Sequence, residues 1–164
     1  MPTFKPGLTT NVFSKTITTN VNNTTGSIVA FTITGSIKVL QIYGVVTTVL
    51  SANHTAAHLR LNDQTATVDL TLAAGVTASA APVGSILMRT GLVASALTLK
   101  SNAAGAFQDA QAVGADVFTP FEVTKKTGAT TTIDYRYTTT DAPSSGAIQF
   151  FLVWQPLSAD AAVS

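Results

Sequence analysis

The sequence predicts an all-β protein, a jelly-roll-like sandwich of about 8–10 antiparallel strands with an extended N-terminal arm. Three observations predict it. Apolar and polar residues alternate with period two along most of the chain. The alternating residues are mainly Thr, Val and Ile, whose branched Cβ resists helix and suits a pleated surface; Thr alone fills 28 of 164 positions. Clusters of Gly, Pro, Asn and Ser punctuate the runs every 8 to 15 residues. No repeat of propeller or solenoid length is evident.

Residues 1–14 hold Pro2, Pro6, Gly7, Phe4 and Phe13 in a polar setting, and read as the arm. The domain spans 15–157. Its first strand runs from Lys15 to Val21, and Asn22 to Gly26 forms a turn. Ser27 to Thr34 follows, with Val29, Phe31 and Ile33 assigned to one face. Ile37 to Leu50 carries Ile37, Val39 and Tyr43 against Leu40, Ile42 and Val46, so both faces read as covered, and Gly44 reads as a bulge or bend. Shorter strands are predicted at Ala57–Leu61, Thr67–Leu72, Ser85–Arg89 and Leu92–Lys100. Asn102 to Asp116 is a long Ala- and Gly-rich loop in which Phe107 to Val113 suits one or two helical turns. Val117–Thr124 and Thr131–Thr139 are strands, the second with Ile133, Tyr135 and Tyr137 opposite Asp134 and Arg136. The last strand, Ala147–Gln155, places Ile148, Phe150, Leu152 and Trp154 on one side and Phe151 and Val153 on the other. Residues 158–164 form a small-residue tail.

Composition excludes several functions. Without cysteine there is no disulfide framework and no thiolate chemistry. Net charge of +1 argues against a nucleic-acid interface, which needs a basic stripe, and no apolar run reaches the length of a membrane span. Charged residues are only 10% of the chain. Over the roughly 7,700 Å² of surface expected for this mass, that is about one charge per 450 Å², less than half the usual density. A surface this sparse in charge favours coverage by other chains, and hence a homo-oligomer.

The chemistry-bearing residues read as structural. His54 and His58 sit four apart between strands, where their rings would lie about 13 Å apart, so they are expected to be loop histidines without a metal. Asp63, Asp69, Asp109 and Asp116 flank loops without forming a recognisable acid–base pair, and Asp134 and Arg136 are placed to pair weakly on the surface. No nucleophile elbow, P-loop or dinucleotide fingerprint occurs. No enzyme activity and no cofactor is expected. Tyr43, Tyr135, Tyr137 and Trp154 are read as packing residues rather than a sugar platform. Phe4 and Phe13 in the arm, and Phe107 in the long loop, are apolar residues without a local core, and are the candidate protein-interface residues.

The short polar arm, the Thr-, Ala- and Val-rich strands, Ile37-Lys38-Val39-Leu40-Gln41-Ile42-Tyr43-Gly44-Val45-Val46-Thr47 and the closing Ile148-Gln149-Phe150-Phe151-Leu152-Val153-Trp154-Gln155-Pro156-Leu157 together resemble the small β-sandwich virion proteins of tailed bacteriophages. The capsid decoration (cement) proteins are the nearest in style. The resemblance implies a structural protein on the capsid surface, often a trimer, made in the host cytoplasm and bound where major capsid protein subunits meet. A tail, head-fibre or baseplate component and a carbohydrate-binding module are the alternatives.

Overall fold

The computed structural model describes residues 10–18, 26–90, 95–101, 119–139 and 146–164. Two antiparallel sheets pack face to face. The first contains β1 (Asn11–Thr18), β3 (Ser36–Thr48), β6 (Ile86–Arg89), β7 (Leu97–Lys100), β8 (Phe121–Thr124) and β10 (Ala147–Pro156). Its order is β1-β10-β3-β6-β7, with β8 also on β3. The second contains β2 (Gly26–Thr34), β4 (Thr55–Asn62), β5 (Thr67–Asp69), β9 (Thr131–Thr138) and β11 (Ala162–Val163), in the order β11-β2-β9-β4-β5. The all-β expectation therefore holds, as a β-sandwich.

The core lies between the sheets. From the first it takes Ile37, Val39, Ile42, Val46, Leu87, Ile148, Phe150 and Leu152, and from the second Phe31, Ile33, Leu59, Ile133, Tyr135 and Tyr137. The alternation read from β9 and β10 is realised, with Ile133, Tyr135 and Tyr137 inward on one and Ile148, Phe150, Leu152 and Trp154 inward on the other. Other strands depart from simple alternation through bulges, β4 between Thr55 and His58 and, with larger consequences for the faces, β3 and β2. In β3, Val39 pairs with Trp154 and Gln41 with Val153, so Leu40 is an extra residue. The extra residue reverses the alternation, so Ile37 and Val39 face the core together with Ile42 and Val46, while Tyr43 points outward. In β2, Ala30 is the extra residue between Val29 and Phe31. Val29 consequently lies on the outer face, 40% exposed, rather than beside Phe31 and Ile33.

Gly44 is a packing position and not a bulge. It pairs with Phe150, and a Cβ there would come within 2.7 Å of Ile148 Cγ2 and 2.9 Å of Phe150 Cε1. The missing side chain is the space that the Phe150 ring occupies.

Both ends of the chain join the sandwich further than the sequence reading placed them. β1 begins at Asn11, inside the stretch assigned to the arm, because the proline and glycine residues stop at Gly7 and the chain from Asn11 on pairs residue by residue with β10. Phe13 pairs with Leu152 and meets Phe31 edge-on, ring centroids 6.1 Å apart. In the tail, Ala162 and Val163 form β11 against Thr34 and Ile33, and Thr32 and Ser164 exchange backbone hydrogen bonds. Thr67–Leu72 is a strand only as far as Asp69. The arm residue Phe4, Phe107 and the helical turns expected around it lie outside the described residues.

Candidate functional site

The outer face of the first sheet is the candidate site, and strand register assembles it. One row crosses the sheet as Ser14, Phe151, Tyr43, Met88 and Thr98, each paired with the next. Beside it run Val12, Val153 and Gln41, and on its other flank Gln149, Val45, Ile86 and Lys100. Tyr43 and Phe151 stack at 4.9 Å between centroids and 12° between planes. Val12 is 65% exposed, and Tyr43, Val45, Ile86, Met88, Phe151 and Val153 are half-buried although they face away from the core. Charge is confined to the margins, with Lys38 and Glu122 forming a 4.0 Å pair at one end and Lys100 lying on the edge strand. Contiguous apolar area on the outside of a sheet marks a contact surface.

The outer face of the second sheet is built differently. Arg60 lies opposite Asp134, His58 opposite Arg136, and Asn62 opposite Thr132. Asp134 is 3% exposed and accepts hydrogen bonds from Thr132 Oγ1 (2.6 Å), Asn62 Nδ2 (3.1 Å), Ser27 Oγ (3.4 Å) and Arg60 (3.5 Å). Sequence reading paired Asp134 with Arg136 at the surface. The structure instead buries the carboxylate and bonds it across strands, because the side chains of β2 and β4 close over central strand β9. This cluster holds three strands together.

His58 differs from its reading as a loop position, and His54, which does lie in a loop, is buried there. His54 precedes β4 but is 1% exposed, because the 51–54 turn folds inward and ties to residues 78–80 through Ala78 N–H to His54 O (2.8 Å) and Ala80 N–H to Ser51 O (2.8 Å). Its ring stacks on Tyr137 at 4.5 Å, and Nε2 shares a 2.7 Å hydrogen bond with the Tyr135 hydroxyl. His58 is a β4 residue whose Nδ1 lies 2.8 Å from Ala56 O and whose Nε2 is 4.0 Å from Asp69. Among the described residues, no group of three or more His, Asp or Glu side chains could hold a metal ion.

Burial lowers the His54 pKa to about 4 and raises that of Tyr137 to about 12. At neutral pH His54 is uncharged in both folded and unfolded chains. Below about 6.5 the unfolded chain takes up a proton that the folded one refuses, so stability falls as pH drops from about 6.5 towards 4, by up to roughly 3 kcal/mol. Urea unfolding at pH 7 and 4.5 should show this loss in the parent chain. His54→Gln should be weaker at pH 7 and should lack that part of the pH dependence; an unchanged slope would remove His54 as its source.

Asp63 organises the β4–β5 turn. Its Oδ1 accepts the N–H groups of Ala66 (2.6 Å) and Thr65 (2.9 Å), and these bonds hold the carboxyl well below the usual range. Lys126 Nζ closes the turn at 3.3 Å from Asp63. A polar groove of about 370 Å³ lies where the 35–36, 124–128 and 158–160 segments meet. There Ser158 Oγ accepts the Ser36 N–H (2.8 Å) and donates to Asp160 (2.7 Å), tying the C-terminal segment to the β2–β3 turn.

The four aromatics named from the sequence divide. Tyr135, Tyr137 and Trp154 are buried, whereas Tyr43 is on the outer face. Phe151 and Val153, which alternate with the core residues of β10, mark the outer face in the sequence itself. Val12, Ile86 and Met88 joined it only through register. No protein-family model matches the chain, and no curated protein or solved structure is significantly similar to it.

Proposed function

We propose that the chain is a non-enzymatic structural protein of a phage virion, a decoration protein that binds the outside of the head and clamps neighbouring major capsid protein subunits. The observation that carries the reading is the uncharged apolar outer face of the first sheet, centred on Tyr43 and Phe151. A protein that works by assembly needs such a face, and this chain devotes its longest strands to it. Among the described residues, the carboxylates with the most hydrogen bonds, Asp134 and Asp63, hold a sheet and a turn. The sequence resemblance supplies the virion context. The adjacency of β1 and β10, strands from opposite ends of the chain, suits a jelly-roll-like wiring.

The physical role follows from multiplicity. A head filled with nucleic acid is pushed outward, and a clamp across two subunits adds binding free energy that expansion must overcome. Many copies multiply a modest contact through avidity. A carbohydrate-binding module needs an open ring face. Tyr43 and Phe151 instead stack on one another, with Met88 and Ser14 flanking them in the same row.

Imaging of purified virions carrying the labelled chain is the test. Label spread over the head surface is the expected result. Label at the tail, fibre or baseplate would replace decoration with one of those roles, and a virion without label would overturn the reading.

A further inference from the structure

We infer that the outer face of the first sheet is where copies of this chain meet. The inference rests on the assembly reading above and deepens it by naming a second copy as what covers this face, so that the oligomer meets the capsid with its remaining surface. Two arguments select that occupant.

The first is the chemistry of the face. Val12, Val45, Ile86, Met88, Phe151 and Val153 are apolar, and between them stand Ser14, Gln41, Tyr43, Thr98 and Gln149. Each of those polar side chains can both donate and accept a hydrogen bond. A face of this kind matches a copy of itself, whereas a charged face repels its own copy and calls for a partner of opposite sign. The charged residues on this face of the sheet, Lys38, Glu122 and Lys100, lie at the rim, where water still reaches charges in an assembled interface, while Lys15 and Arg89 alternate to the other side.

The second is size. Strand spacing and rise give β1, β10 and β3 at full length, with β6 and β7 at half length, a face of roughly 500 Å². Two copies facing each other remove about 1,000 Å² from water, the lower limit for a specific interface. A contact of that size gives a reversible oligomer, consistent with a protein that is delivered free and then bound in many copies.

Sedimentation of the full chain at micromolar concentration, beside Val12→Lys and Phe151→Lys, is the test. Val12 is on an edge strand and 65% exposed, so lysine there leaves the fold intact in an isolated copy. The parent chain should sediment as an oligomer, and each variant should weaken association by about 100-fold, as expected for an unpaired charge placed in a contact. Circular dichroism shows whether Phe151→Lys folds; if it does not, Val12→Lys decides. A parent chain that sediments at 16.9 kDa, or a Val12→Lys protein that associates as tightly as the parent, would overturn the inference. A monomer that still labels the head would leave decoration standing without self-association. An oligomer broken by Val12→Lys that labels no virion would leave self-association standing without decoration.

Discussion

Gly44→Val is expected to destabilise the sandwich by at least about 3 kcal/mol, a fall in Tm of about 10 °C. Gly44 sits in the middle of β3 with the Phe150 ring across it. The first carbon of any side chain would lie 2.7 Å from Ile148 Cγ2 and 2.9 Å from Phe150 Cε1. Both neighbours are 0% exposed and enclosed by the second sheet, so neither can swing aside without opening the core. Better strand propensity offsets little of this, since that scale spans only about 1 kcal/mol. Gly128→Ala is the informative comparison. Gly128 has φ +75 and nothing within 4 Å of a Cβ, so its cost is conformational, about 1 kcal/mol. Thermal melts of the two variants separate crowding from backbone strain, and a Gly44→Val protein as stable as Gly128→Ala would contradict the packing described.

The difference between what was legible and what was not has one main cause. Alternation reports which residues share a face only while the strand keeps its period. It holds through β9 and β10, and their inward sets are readable directly. It fails across Leu40 and Ala30, where one extra residue moves everything beyond it to the other side. No local signal marks either bulge, because Leu40 and Ala30 are ordinary strand residues, while Gly44, the residue that resembles a bulge signal, holds a different job. Contacts between distant parts of the chain are invisible in the same way. β11 is two residues long and exists because Thr34 and Ile33 leave an edge for it. His54 is buried because the turn that carries it is pinned to residues 78–80.

The apolar face combines both situations. Phe151 and Val153 announce it in the sequence, since a strand with large apolar residues on both sides needs cover on both sides. The contribution of Val12, Ile86 and Met88 depends on β1 pairing with a strand about 140 residues further on and on β6 pairing with β3, which no local pattern encodes. The interface residues that the sequence suggests, Phe4, Phe13 and Phe107, share the lack of a local core. Phe13 shows the limit of that logic, for its core is Phe31 and Leu152, remote in sequence and adjacent in space.

Asp134→Ala should be the most damaging change outside the apolar core, at about 3–5 kcal/mol. The carboxylate is the common acceptor for donors on three strands, Ser27 on β2, Arg60 and Asn62 on β4, and Thr132 beside it on β9. Alanine removes all four bonds at once. It also leaves the Arg60 guanidinium, whose side chain is only 16% exposed, without its carboxylate. Arg60 already keeps its Nε buried without a hydrogen-bond partner, and the guanidinium would retain only its 3.2 Å bond to Ser27 Oγ and the more exposed Asp69 across the β4–β5 pair. The penalty is therefore that of a stranded buried cation and several unsatisfied donors, which exceeds the modest net value of the bonds themselves. Asp134→Asn retains an acceptor oxygen and should recover part of the loss, while Asp69→Ala, at a 45% exposed side chain on the edge strand, should cost less than about 1 kcal/mol. Combining Asp134→Ala with Arg60→Met should be less damaging than the sum of the two single changes, because the cation that makes the first so costly is gone. Urea unfolding of this set at neutral pH measures each value. Additive losses, or an Asp134→Ala effect no larger than that of Asp69→Ala, would show that the cluster is not what joins β2, β9 and β4.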